Sequence, residues 1–200
     1  MNKRIILGIT GATGMIYVKE FLELASVLDV EIHAIISDAG RQVMELELGL
    51  APENLNGLIT AWYDARDFAA PMSSGSSRFD AMLVLPCTMG TLAAIANGMS
   101  ANLIHRAADV TLKERRPLVL AARETPLNRT HLVNMLAVHE AGATVCPPMP
   151  SFYHRPETIR DMARAFAGRI CDQLGLEVPG MKRWGEEGMA ESDQEEVRRC

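Results

Sequence analysis

Apolar and polar positions fall into two kinds of block along the chain. Continuous apolar runs occur at Ile5 to Leu7, Ala81 to Leu85 and Leu118 to Ala122, as expected for strands buried on both faces, and Val30 to Ile36 and Ala143 to Cys146 also read as strands. Between them the apolar residues recur at helical spacing. Met15, Val18, Leu22 and Ala25 predict a helix over Thr13 to Leu28, and Gly40 to Leu48 a second. Another helix begins at Leu92 to Ala96, and Leu103 to Arg116 carries Leu103, Ala107, Val110 and Leu112 on one side. Leu127 to Ala141 reads as a helix with Leu132, Met135 and Leu136 buried and Gly142 as its stop. The last helix lines up Ile159, Met162, Ala163, Phe166, Ile170 and Leu174, with Arg169 at the border of the stripe. Strands alternating with helices predict an α/β fold, a sheet between two helical layers. Residues 51–79 follow neither period.

The polar turns between these blocks carry the candidate chemistry. Glycines 8, 11 and 14 let the chain leave a strand, turn sharply and open a helix with its N–H groups toward an anion. The spacing is neither Gly-x-Gly-x-x-Gly nor a Walker loop. A tight strand-to-helix connection and a phosphate cradle are therefore both open, with Thr10 and Thr13 available to contact phosphate or cap the helix. Pro86-Cys87-Thr88-Met89-Gly90-Thr91 repeats the same strand, glycine turn, helix logic. Ser37 and Asp38 are either a helix cap or a second ligand contact at a strand end. Ser73, Ser74, Ser76 and Ser77 around Gly75 read as a phosphate-binding loop in preference to a linker. Arg106, Asp109 and Lys113 fall at neighbouring helical spacings. Arg123-Glu124 is either a surface ion pair or charge placed at the active edge. Prolines 147, 148, 150 and 156 fix an extended loop that holds Phe152 and Tyr153; His154 reads as a loop or capping residue.

Composition narrows the partners. Two hundred residues, 48% hydrophobic, suit one domain. A net charge of -5 without a basic run argues against a nucleic-acid surface. No stretch approaches the roughly 18 apolar residues of a membrane span, and the apolar run after Met1-Asn2-Lys3-Arg4 is too short for a signal peptide, so a cytoplasmic protein is expected. Cys87, Cys146, Cys171 and Cys200 lack ligand spacing, which predicts reduced thiols and no metal site.

In order, Gly11-Ala12-Thr13-Gly14, Ser74-Gly75-Ser76, Pro86 to Leu92, Arg106 to Glu114, Arg123-Glu124, Phe152-Tyr153-His154 and Arg183-Trp184 closely resemble the flavin prenyltransferase family, over roughly residues 4–186. The chain is similar, more distantly, to flavin-dependent cysteine decarboxylases. The family resemblance implies a Rossmann-like (flavodoxin-like) three-layer parallel sheet in a single domain, residues 1–186; the remainder, 187–200, with its Glu/Asp/Arg-rich end, reads from composition as a disordered tail. It implies an enzyme that joins dimethylallyl from dimethylallyl phosphate to N5 and C6 of reduced FMN. The product, prenylated FMN, would serve a partner aromatic-acid decarboxylase, and the assembly would be a homododecamer without metal. Carried over by motif, FMN would meet Gly11, Ala12, Thr13, Ser37, Thr88, Met89, Gly90, Thr91 and Arg123. The prenyl phosphate would meet Ser74, Arg106, Lys113, Tyr153 and Arg169, with Glu124 beside it and Glu47 reaching in from a neighbouring subunit. Thr13 stands where many members have Ser, and Ala121-Ala122 where Val-Pro is common. Two other readings are a non-catalytic FMN-binding subunit and an FMN-dependent cysteine decarboxylase. The latter would favour a His in the first helix region, where this chain has Tyr17 and no His between residues 1 and 32.

Overall fold

The computed structural model describes residues 2–181; Arg183, Trp184, Cys200 and the expected tail lie outside the described residues. Strands β1 (Lys3–Ile9), β2 (Val30–Ile36), β3 (Ala61–Tyr63), β4 (Ala81–Cys87), β5 (Leu118–Ala122) and β6 (Thr144–Val145) lie in the order β3-β2-β1-β4-β5-β6. All neighbouring pairs are parallel. This is the Rossmann order, and its direction reverses between β1 and β4, where open α/β sheets bind ligands beyond the carboxyl ends of the strands.

The apolar runs become strands because both faces of the sheet are covered. Alternate residues point to opposite faces. Ile5, Leu7, Ile9, Leu83 and Leu85 pack with α1 (Met15–Ala25), α2 (Asp38–Leu48) and α6 (Ile159–Gln173). Ile6, Met82, Val84 and Leu120 pack on the other side with α3 (Met89–Ala96), α4 (Leu103–Lys113) and α5 (Arg129–Glu140). Central β4 is buried along its whole length. Among the described residues no helix is long and apolar enough to cross a membrane.

The structure departs from the sequence pattern at three places. α1 begins at Met15, later than Thr13, because Gly14, at φ 117°, forms its N-cap. β3 was hidden because it has only three residues, on the outer edge, inside the irregular 51–79 segment. Of the three α5 residues expected to be buried, Met135 packs partly against the core and the two leucines face outward. Leu132 is 54% and Leu136 57% exposed, and Val138 is the buried residue of the helix. α5 lies over α3 and the two-residue edge strand β6, so a narrow body contact is made by the opposite flank. Ile159, at the overhanging start of α6, is likewise exposed.

Candidate active site

Three helix N-termini, those of α1, α2 and α3, follow the carboxyl ends of β1, β2 and β4. Their unsatisfied amides and aligned dipoles favour an anion at this edge. Thr10 ties the reversal point together. Its hydroxyl donates to the Pro86 carbonyl (2.7 Å) and accepts from the Thr88 amide (2.9 Å). At 2% exposure it is structural, not a phosphate contact. Gly11 passes so close to α2 that an added Cβ would stand 2.5 Å from Ala39 Cβ. Thr13 is exposed beside it, and Ala12 is buried.

Ser37 is the cap of α2, accepting from the Gly40 amide at 3.0 Å; its hydroxyl hydrogen is left for a further acceptor. Thr88 caps α3 in the same way, accepting from the Thr91 amide at 3.2 Å. The side chains of Met89 and Thr91 turn inward, 7% and 8% exposed, so Met89 can serve a ligand only through its backbone. Gly90 is exposed, and a Cβ there would meet nothing within 4 Å. Space is therefore open at Gly90, and the first-turn amides that a helix leaves unpaired make this end of α3 a fitting place for the phosphate of a nucleotide-like cofactor such as FMN.

Arg123 follows β5, its amide donating to the Cys87 carbonyl at 3.1 Å. Burial pushes the Tyr17 phenol above its ordinary pKa, and the Arg123 guanidinium pulls in the opposite direction. Glu124 is exposed and accepts from the Thr125 amide at 3.0 Å.

A second group lies along α4. Arg106 donates through Nε to the Ser73 carbonyl (3.1 Å) and through Nη1 to Asp109 (2.9 Å). Arg116 donates to the Gly75 and Ser77 carbonyls, both at 2.9 Å. Lys113 pairs with Glu114 and pulls the Glu114 carboxyl below its ordinary pKa. An added Cβ at position 75 would lie 2.0 Å from Glu114 Oε1 and 2.6 Å from Lys113 Nζ, so Gly75 passes directly beneath the ends of these two side chains. Ser74, bonded to Ser76 Oγ at 2.9 Å, is thus held near Arg106 and Lys113.

The third group lines a cavity of about 410 Å³ between α6 and the proline-rich loop. Tyr153, His154, Met149, Phe166 and Arg169 contribute, and Met181 folds back over Gly168. Asp172 also lines it and pairs with Arg169 at 3.8 Å, and an apolar wall ending in an exposed arginine suits a small apolar group that carries an anion. Burial raises the Cys146 thiol pKa, and nearby Arg169 counters it. Phe166 meets Tyr17 edge-on, 5.1 Å between ring centroids, so the cavity wall abuts the helix that leaves the glycine turn.

The Flavoprotein family model matches residues 1–168. The chain is 49% identical over 182 residues to flavin prenyltransferase UbiX of Methanothermobacter thermautotrophicus, covering 91% of this chain and 95% of the relative. The chain belongs to the flavin prenyltransferase family. Its backbone is similar to that of AnUbiX (PadA1), solved in complex with FMN and dimethylallyl pyrophosphate. The TM-score is 0.91 at 42% identity, covering 94% of this chain and all of that one, 100%. A dodecameric FMN-dependent UbiX-like decarboxylase from Escherichia coli O157:H7 matches with TM-score 0.88 at 42% identity, covering 92% and 100% of the two chains.

In this flavin prenyltransferase a single chain gathers the candidate residues into these groups, not into one site. Gly11, Ala12, Thr13, Ser37, Thr88, Met89, Gly90, Thr91, Arg123 and Glu124 share the carboxyl edge of the sheet. Tyr153 and Arg169 adjoin it through Phe166. Lys113 ends α4 and leads into the start of β5, whereas Arg123 follows its end. The five residues of β5 separate the two edges by about 16 Å at ~3.3 Å per residue.

Within the single chain Glu47 closes the N-terminus of α1. Its carboxylate accepts from the chain's own Gly14 (2.9 Å) and Met15 (2.8 Å) amides, because α2 lies beside the open end of α1 and a carboxylate is stabilised there. Sequence reasoning missed Arg116, counted among solvated charges, and the Tyr17–Phe166 contact. An aromatic three residues past Gly14 was the available signal for the latter.

Proposed function

We propose that the protein joins dimethylallyl from dimethylallyl phosphate to N5 and C6 of reduced FMN, making prenylated FMN for a partner aromatic-acid decarboxylase. The reading is carried by the contact of Tyr17 with Phe166, which makes the helix of the glycine turn and the wall of the Arg169 cavity one surface. The electron-rich ring of reduced FMN is the nucleophile in this chemistry. The α2 and α3 N-termini and Arg123 hold FMN by its anionic and polar atoms. Arg169 and Tyr153 hold the donor phosphate, and cationic groups there stabilise it as a departing dianion. Phe166 and Met149 keep water from the allylic carbon. Glu124 takes part with the released phosphate in moving the proton lost at C6.

Ser74, Arg106 and Lys113 enter the site from a neighbouring subunit, in a homododecamer like that of the Escherichia coli relative. The separation of Lys113 from Arg123 within one chain supports this arrangement. The domain comprises residues 1–186, and the setting is cytoplasmic.

Anaerobic incubation with reduced FMN and either dimethylallyl monophosphate or pyrophosphate, followed by mass spectrometry of the released flavin, tests the reading. A flavin carrying one added five-carbon unit is expected; recovery of unmodified FMN with both donors overturns it. Arg169→Ala should keep FMN binding and lower the yield at least about tenfold, since losing a charge-assisted contact costs roughly 1.5 to 3 kcal/mol.

A further inference from the structure

Glu20 is a carboxylate where the packing calls for an apolar residue. It sits on the inner face of α1 among Val18, Phe21 and Leu24, and its side chain is 2% exposed. Such a group is retained in a helix seam only when paired. Both of its oxygens are paired from α6: Arg160 Nε donates to Oε1 at 2.7 Å and Arg164 Nη1 to Oε2 at 3.4 Å. Arg160 also reaches Glu23. The arginines are half-exposed, 60% and 45%, and the pairs chiefly offset the cost of burying the carboxylate, adding little net stability beyond that. What they supply is direction. Apolar packing tolerates sliding of one helix on another, whereas two fixed donor-acceptor pairs do not.

The contacts run Glu23 to Arg160, Glu20 to Arg164 and Tyr17 to Phe166, a single antiparallel ladder. Arg169 follows Phe166 by three residues on α6, lining the same cavity, where it pairs with Asp172 at 3.8 Å. A slip of one residue would move Arg169 by ~1.5 Å along the axis and ~100° around it. We propose that Glu20 is a positioning residue that sets the register of α6 against α1, so that Arg169 meets the donor phosphate. The proposal rests on the assignment of Arg169 under Proposed function.

Three proteins test it: the unaltered chain, Glu20→Gln, and a reversed clamp combining Glu20→Arg and Glu23→Arg with Arg160→Glu and Arg164→Glu. Each is measured for FMN affinity, for KM and kcat with dimethylallyl phosphate, and for hydrogen exchange of the α6 amides. Glu20→Gln should leave FMN affinity within about twofold, raise KM at least about tenfold with a smaller change in kcat, and speed exchange in α6; tenfold corresponds to ~1.4 kcal/mol. The reversed clamp should restore both KM and protection. An unchanged KM or unchanged α6 exchange in Glu20→Gln overturns the proposal, as does a reversed clamp that restores neither. Equal losses of FMN affinity and donor affinity would show a general structural role and also overturn it. Failure of the enzyme assignment itself reads differently: the unaltered chain does not turn over, and the exchange data alone then decide whether Glu20 sets the register of α6.

Discussion

One hydroxyl, on Thr10, joins the ends of two strands at the point where the sheet reverses. It satisfies the Pro86 carbonyl and the Thr88 amide together, and Thr88 in turn caps the helix that opens onto the proposed flavin site. Thr10→Val keeps the shape but removes both bonds and leaves a buried donor without a partner, at a cost of about 1 to 3 kcal/mol. Urea denaturation should show the loss, titration with FMN should show weaker binding, and Thr10→Ser should retain most of both. The sequence offered Thr10 and Thr13 as equals, three residues apart with the same chemistry. Which hydroxyl turns inward depends on β4, more than seventy residues away, and local pattern carries no such information. Glu47 was obscured for the same reason: its partners, Gly14 and Met15, come from another element.

Helix α5 shows where periodicity is sufficient and where it is not. The 3.6-residue repeat located the helix, and Asn128 caps it with its side chain on the His131 amide. A repeat identifies an apolar stripe but not what covers it. Strands β1, β2, β4 and β5 were legible because they are buried on both faces, and β3 was not because three residues at an edge leave no pattern. The outward Leu132 and Leu136 of α5 lie, in the proposed assembly, against another copy. Leu132→Lys combined with Leu136→Lys should change monomer stability little, as expected for exposed positions. It should also reduce the assembly seen by light scattering. An unchanged assembly would place the subunit contact elsewhere.

Across the whole molecule, the glycine turns and Arg123 occupy one edge of the sheet and Lys113 the other. If active sites take Lys113 from one copy and Arg123 from the next, variants lacking either residue complement each other. Lys113→Ala and Arg123→Ala should each be nearly inactive alone. Dissociated, mixed in equal amounts and reassembled, they should recover activity at about a quarter of the sites, by random pairing of subunits across heterologous contacts. No recovery would mean that both residues serve the same chain. The length of β5 then has a consequence for the life of the protein. In that arrangement a freshly made subunit would bind flavin and carry its own Arg169 but would lack the Arg106 and Lys113 of a neighbour. The reactive chemistry would then be withheld until neighbours had closed around it, and dilution that separates the copies would switch it off without unfolding any of them.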